Sequence, residues 1–171
     1  MTEAQEVLPD EESSGSRLEE EGDVAADYLE ELLDIADIDG DIDIEIRSGR
    51  TYISIVQEDG DESALRELLG RNGEGLEALQ ELVRLAVLTT TGNRSRLVLD
   101  ILGYRRGRTA ELTKLAENAV AQAKDSGEEV ALEPMSAYER KIVHDVVADL
   151  GLQSASDGEG PGRHVVVSVE A

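Results

Sequence analysis

Apolar side chains recur along this chain with two spacings, and each spacing predicts a different kind of element. A spacing of three and four residues predicts helices over 24–38, 64–69, 74–88, 110–123 and 137–150. Alternation with polar residues, or a β-branched run, predicts strands over 42–46, 52–56, 96–101 and 164–169. The mixture of both kinds of element indicates an α+β fold.

The N-terminal stretch differs in composition from the rest of the chain. Residues 1 to about 22 are rich in Glu, Ser and Gly with scarcely any apolar periodicity, which is typical of a disordered acidic tail. We therefore expect a tail over 1–23 and a first domain over 24–102. An Ala-rich helix is expected to connect it, over 103–127, to a second small domain over 128–171.

Negative charge is concentrated in the first third of the chain. The 171 residues carry a net charge of −23. Residues 1–63 hold 22 Asp and Glu against three Arg, a net of −19, and residues 64–171 hold 17 against 13 Lys and Arg, a net of −4. An acidic chain is ordinarily repelled by nucleic acid. Because the basic residues cluster in the middle third, a local positive face is still compatible with the sequence.

Missing residue types exclude several classes of protein. There is no Cys, and hence no disulfide framework or thiolate site, so we expect a reducing, cytoplasmic location. Neither a signal peptide nor a run of 18 apolar residues is present, so no transmembrane segment is expected. With no Trp or Phe and four Tyr, a base-stacking surface of the RRM or OB type is not expected.

A glycine loop joins two of the predicted helices. It consists of Gly70, Arg71, Asn72 and Gly73. One interpretation is a grip on a phosphate, since glycines allow close backbone approach, the next helix begins with unpaired N–H groups, and Arg71 adds a positive charge. The alternative is that Gly70 only caps a helix and Gly73 only makes a turn.

A second candidate site lies on the predicted helix 137–150. Arg140 and His144 are four residues apart and share one helix face, so a guanidinium and an imidazole can point at one phosphodiester. Arg163, after a glycine-rich turn, is a candidate third donor. The alternative interpretation is a half-buried helix histidine beside an ordinary surface arginine.

Metal binding and enzyme chemistry are not expected. Acidic residues alternate with Ile over 37–45, but an EF-hand requires Gly where this chain has Ile42 and a carboxylate where it has Ser48. His144 and His164 lack a neighbouring pattern that would activate a nucleophile. The sequence therefore predicts no cofactor and no catalytic residue.

The order helix, strand, strand, helix, glycine loop, helix, strand over 24–102 resembles the type II KH domain. The resemblance implies a three-stranded sheet with helices on one face, and a Gly-x-x-Gly loop that contacts about four single-stranded nucleotides. By carry-over that loop is Gly70 to Gly73. A groove lined by helix 74–88 and the strand around Tyr52 would hold the bases.

The segment from Glu133 to His144 resembles the core of the Arg-x-x-x-His domain, a small α/β module that binds single strands. A KH domain, a long helix and this module in that order are similar to the Jag family of bacterial RNA-binding proteins, also called KhpB. The family carries a basic residue at both middle positions of its loop, whereas this chain has Asn72 at the second. Many members also have a folded N-terminal domain, where this chain has an acidic tail.

The resemblance implies a single-stranded RNA-binding protein, an RNA chaperone or post-transcriptional regulator, with single-stranded DNA as a further candidate ligand. It also implies pairing with a small KH-domain protein, or a homodimer, and a role in cell elongation, cell shape and envelope growth. The alternative is a protein-interaction adaptor that uses KH dimerisation and the acidic tail, with weak RNA binding.

Overall fold

The computed structural model describes residues 11–169, which fall into two compact units divided between Tyr104 and Arg105. The elements of the first unit are α1 (Glu11–Ala36), β1 (Asp41–Arg47), β2 (Arg50–Val56), α2 (Ser63–Leu69), a 3-10 turn (Arg71–Gly73), α3 (Glu74–Thr91) and β3 (Val98–Ile101). The elements that follow are α4 (Tyr104–Ser126), β4 (Val130–Ala131), α5 (Ala137–Asp149), β5 (Gln153–Asp157), a 3-10 turn (Gly160–Gly162) and β6 (His164–Ser168).

The first unit is a three-stranded sheet with helices on one face. The strand order is β1-β2-β3, with β2 antiparallel to β1 and parallel to β3. Ile53 lies opposite Leu99 and Ile55 opposite Ile101, and all four side chains are fully buried. They share one core with the inner faces of α1, α2 and α3. The alternation predicted for these strands therefore places one face of the sheet under the helices.

The first helix begins much earlier than the sequence predicts. α1 starts at Glu11, so the expectation of a disordered tail is wrong for residues 11–22, while residues 1–10 lie outside the described part of the chain. Leu18 is buried, and its carbonyl oxygen accepts a hydrogen bond from the Thr51 hydroxyl at 3.1 Å. The acidic stretch thus packs on the sheet of the first unit.

Polar and small residues fill the inner face of this early stretch, which explains why composition failed to reveal it. Glu21 is buried, and its carboxylate accepts a hydrogen bond from the Ser95 hydroxyl at 2.9 Å. At Gly22 an added Cβ would lie 3.0 Å from a methyl carbon of Ile44. Both residues follow Leu18 by about one helical turn and share its inward face. A search for apolar periodicity therefore finds only Leu18 there.

Tyr52 lies on the side of the sheet that faces away from the helices. Its neighbours in β2, Thr51 and Ile53, are fully buried on the helix side, and side chains alternate along a strand. The guanidinium carbon of Arg47 lies 4.0 Å from the centre of the Tyr52 ring. The expectation that Tyr52 lines a groove together with helix 74–88 is therefore wrong.

Side chains cover the open edge of β3. The Leu99 N–H donates to the side-chain oxygen of Gln80 at 3.1 Å. The guanidinium of Arg84 donates to the Leu97 carbonyl oxygen through Nε at 3.1 Å and through a terminal nitrogen at 2.8 Å. The Leu97 N–H donates to the Ser95 hydroxyl at 3.0 Å. These backbone groups have no strand beyond them and are satisfied by α3 and the preceding loop instead.

The second unit is a small antiparallel sheet with two helices. The strand order is β4-β6-β5. Val165 and Val167 of β6 are fully buried with Val143 and Val147 of α5. Among residues 11–169, no helix combines the length and apolar character needed to cross a membrane.

The long helix belongs to this second core. The side chains of α4 that share the core are Leu112, Ala116, Ala119, Val120 and Ala123. The Arg108 guanidinium also pairs with the Glu139 carboxylate of α5 at 2.7 Å. The expectation of a separate connecting helix over 103–127 is therefore corrected, because small residues pack closely and a face of Ala can form a core.

β5 was not predicted from the sequence. Its residues, Gln153 to Asp157, include no large apolar side chain, so neither strand pattern detects it. It pairs along its length with β6, from Gln153 opposite Ser168 to Asp157 opposite His164. Tertiary pairing, not local propensity, makes this segment a strand.

Candidate nucleic-acid interface

The glycine loop makes a tight turn between α2 and α3. The Gly70 N–H donates to the Glu67 carbonyl oxygen at 3.1 Å, so Gly70 caps α2 as one of the two interpretations requires. Gly70, Asn72 and Gly73 have positive φ values of 73°, 54° and 77°. Arg71 and Asn72 are exposed at the tip, while Gly73 is buried. The turn therefore presents its one cation to solvent.

Close packing explains why the loop needs glycine. A Cβ on Gly70 would lie 2.7 Å from the backbone nitrogen of Gly75, and one on Gly73 would lie 2.6 Å from the Tyr104 ring. A Cβ on Gly75 would lie 2.9 Å from the Leu69 carbonyl. The glycines are required by the turn itself, so their presence alone does not decide between a structural and a nucleic-acid-binding role.

Charges near the loop have both signs. Arg66 is paired with the Glu62 carboxylate at 2.6 Å. Glu74 and Glu77 lie in the first turn of α3, where negative side chains interact favourably with the helix dipole. A phosphate at this loop would be attracted by Arg71 and backbone N–H groups and repelled by Glu74. The local attraction is therefore weaker than in a loop with two cations.

The N-terminus of α5 holds Arg140 next to the turn that carries Arg163. The Ser136 hydroxyl accepts from the Glu139 N–H and the Glu139 carboxylate accepts from the Ser136 N–H, which is a capping box. The Arg140 guanidinium donates to the Met135 carbonyl oxygen at 3.3 Å. The Met135 N–H donates to the Arg163 carbonyl oxygen at 3.2 Å. The structure therefore brings the two arginines together through Met135.

The His144 ring is held between two serine hydroxyls of β5. Its Nδ1 lies 2.6 Å from Ser154 Oγ and its Nε2 lies 2.9 Å from Ser156 Oγ. Burial, and then the positive charge of Arg140, lower the pKa of the imidazole below its ordinary value of 6.5, while Asp145 opposes this shift. The neutral ring is therefore favoured at neutral pH.

This geometry changes the role expected for His144. Because both ring nitrogens already have hydroxyl partners, the imidazole does not offer a free nitrogen to a phosphodiester. Ser154 and Ser156 lie beside it and were missed, because they belong to the strand that the sequence did not predict. The signal that could have found them is the space between Gly151 and the glycine turn at 158–162, which is long enough for a strand that pairs with 164–168.

The predicted site residues are thus divided between the two units. Gly70, Arg71, Asn72 and Gly73 lie together in the first unit, and Arg140, His144 and Arg163 lie in the second. Within the second unit, Arg105 lies at 6.0 Å from the ring centre of Tyr138, which is exposed at the start of α5.

Comparison with known proteins gives the same organisation. The model of the Arg-x-x-x-His domain matches residues 110–169, a range that includes most of α4. RNA-binding protein KhpB of Clostridium symbiosum is 35% identical over 149 residues, which cover 86% of this chain and 66% of that protein. RNA-binding protein KhpB of Bacillus subtilis is 36% identical over 112 residues, covering 64% of this chain and 53% of that protein. The matched region of this chain thus spans roughly half to two thirds of the length of these relatives.

Proposed function

Because the chain belongs to the Jag family, also called KhpB, we propose that it is an RNA-binding protein that holds single-stranded RNA at two sites, one in each unit. The first site is the loop from Gly70 to Gly73. The second consists of Arg140 and Arg163, with His144 beside them.

The observation that carries this proposal is the arrangement in the second unit. Arg140 and Arg163 are joined through the backbone of Met135, and His144 lies one helical turn beyond Arg140. All of them fall inside the segment that matches the Arg-x-x-x-His domain. Two guanidinium groups with five N–H donors each suit the oxygens of a phosphate.

For the first unit we propose a type II KH domain. The parallel pairing of β2 with β3, the helices on one sheet face and the tight loop between α2 and α3 support it. The exposed tip at Arg71 supports backbone contact with a single strand. Since only one cation is present there, the first site is expected to bind more weakly than the second.

Two weak sites on one chain reinforce each other. Once one unit holds a transcript, the other meets the same strand at a high effective concentration. This suits an RNA chaperone or post-transcriptional regulator in the cytoplasm. Pairing with a small KH-domain protein and a role in cell elongation and envelope growth are part of the same proposal, by resemblance to the family.

A protein partner is supported by the outward side of α3. Leu82 and Leu85 are 48% and 56% exposed there, on the side away from the core. Exposed apolar side chains one turn apart are typical of a contact surface. This observation favours dimerisation of the first unit, and it also keeps the adaptor as the second candidate function.

Charge reversal of the two proposed sites tests the RNA-binding function. We would measure anisotropy of a labelled single-stranded RNA of about 15 nucleotides over a salt series. Arg71→Glu and Arg140→Glu are each expected to weaken binding about tenfold at low salt and to make the log–log salt slope shallower by about 0.7 per lost phosphate contact. Substitution of the loop glycines is unsuitable as a test, because any Cβ there disrupts the turn.

Each variant has a matched control in its own unit. Arg47→Glu reverses a charge on the open sheet face of the first unit, and Lys124→Glu does so near the end of α4. Both controls change the net charge equally and should retain wild-type affinity to within about twofold. Equal losses in variants and controls would mean that only overall charge matters. No binding by the wild type at low salt would favour the adaptor.

A further inference from the structure

The Ser154–His144–Ser156 cluster has a hydrogen-bonding pattern that a phosphate alone does not match. The two serines are two residues apart in β5, so both side chains lie on the same face of the sheet. Each hydroxyl is bonded to one nitrogen of His144, at 2.6 and 2.9 Å. Both side chains are half-buried, so part of each stays open to solvent.

Counting donors and acceptors defines what the cluster offers to a ligand. A neutral imidazole has one N–H donor and one acceptor nitrogen. The serine that receives the N–H keeps its own O–H free, whereas the other serine gives its O–H to the ring and can only accept. Whichever tautomer is present, the pair offers one donor and one acceptor side by side. Burial and the charge of Arg140 lower the pKa of His144 and favour this neutral form.

Within residues 11–169, His144 is the partner of both hydroxyls, and the remaining donor and acceptor are open to a ligand. A phosphodiester oxygen only accepts, so it satisfies the donor and leaves the acceptor unmatched. A ribose 2′-hydroxyl both donates and accepts, and it distinguishes RNA from DNA. Because Arg140 precedes His144 by about 6 Å along α5, a phosphate on Arg140 would bring its sugar near the serines.

We propose that Ser154 and Ser156, oriented by His144, bind a ribose 2′-hydroxyl and make the second unit selective for RNA over DNA. This inference rests on the proposed RNA-binding function and deepens it. His144 is a positioning residue in this arrangement: it fixes the direction of the two hydroxyls while Arg140 and Arg163 hold the backbone.

A double-mutant cycle between protein and ligand tests the inference on the full chain. The ligands are oligouridine and oligodeoxyuridine of about 15 nucleotides, which differ only in the 2′-hydroxyl. Ser154→Ala with Ser156→Ala is expected to weaken RNA binding about tenfold and to change DNA binding less than about twofold. The salt slope should stay the same for both strands, since no phosphate contact is removed.

Two further measurements guard against a trivial result. Ser168→Ala, in β6 of the same sheet, is the matched control and should leave the ratio of RNA to DNA affinity unchanged. With the wild type, oligouridine carrying 2′-O-methyl groups can accept but not donate at that position, and it should bind about as weakly as the DNA.

The outcomes separate this inference from the function on which it rests. Equal losses of RNA and DNA affinity in the double serine variant would show that the serines support the fold or the phosphate, and would overturn the inference. Wild-type binding of 2′-O-methyl oligouridine as tight as that of RNA would overturn it also. If the wild type binds neither strand, the proposed function itself fails and the inference falls with it.

Discussion

Gly75→Ala is expected to destabilise the first unit strongly although it adds a single methyl group. Gly75 lies in the first turn of α3, where an added Cβ would overlap the Leu68 carbonyl oxygen and lie 2.9 Å from the Leu69 carbonyl carbon and oxygen. These are backbone atoms at the end of α2, so no side-chain rotation relieves the contact. The two helices would have to separate, and the loop between them would open.

The size of the effect follows from two opposing contributions. Forcing extra volume into a close-packed site costs about 1–3 kcal/mol, and the upper part of this range applies where backbone must move. Replacing glycine by alanine in a helix contributes about 0.5–1 kcal/mol in the other direction. We therefore expect Gly75→Ala to lower the free energy of unfolding of the first unit by about 2 kcal/mol.

The matched control is the same substitution at a glycine without neighbours. Gly107 lies in the second turn of α4, and an added Cβ would meet no atom within 4 Å. Gly107→Ala should therefore stabilise the second unit by about 0.5–1 kcal/mol. Because the two glycines belong to different units, each variant also serves as the control for the other.

Hydrogen exchange measured by mass spectrometry distinguishes the two units. Amides of 53–55 in β2 report on the first unit and amides of 165–167 in β6 report on the second. Gly75→Ala should speed exchange in β2 and leave β6 unchanged, whereas Gly107→Ala should slow exchange in β6. Wild-type protection of β2 in Gly75→Ala would refute the close approach of α2 and α3 on which the reasoning depends.

Two further substitutions are tested by urea unfolding. The pKa of His144 is lowered in the folded state, so as the pH falls below about 6.5 the unfolded chain takes up a proton that the folded chain does not, and stability decreases. Wild type should lose more stability than His144→Gln between about pH 7.5 and pH 5.5, with His164→Gln as the matched control, and equal losses would contradict the shift. Leu18→Ala should cost about 2–3 kcal/mol because Leu18 is 9% exposed, whereas Leu85→Ala at 56% exposure should stay within about 0.5 kcal/mol; a similar small loss at Leu18 would show that residues 11–22 add little to the fold.

Much of the fold could be predicted because its apolar residues follow regular spacings. The sheet of the first unit is the clearest case: Ile53 and Ile55 alternate with polar neighbours and lie buried as the alternation requires. The capping box at Ser136 also placed the start of α5 correctly. In these segments local preference and tertiary packing agree, so the sequence is sufficient.

The rest depends on contacts between distant residues. The early part of α1 is helical although its inner face carries Glu21, because Ser95 satisfies that carboxylate from 74 residues away. β5 is a strand because β6 supplies its hydrogen bonds. For the candidate site, the pairing of Arg140 with His144 follows from helix geometry, but the hydroxyls on both sides of His144 could not be found without β5.

The covered edge of β3 limits how this protein can bind other chains. Many proteins are recognised by strand addition, in which a peptide extends a sheet through backbone hydrogen bonds. Here Gln80 and Arg84 already occupy Leu99 and Leu97, and the opposite edge strand, β1, is lined with exposed Asp and Glu. The sheet of the first unit therefore resists both peptide augmentation and the edge-to-edge stacking that begins aggregation. Partners of this unit must dock on side chains.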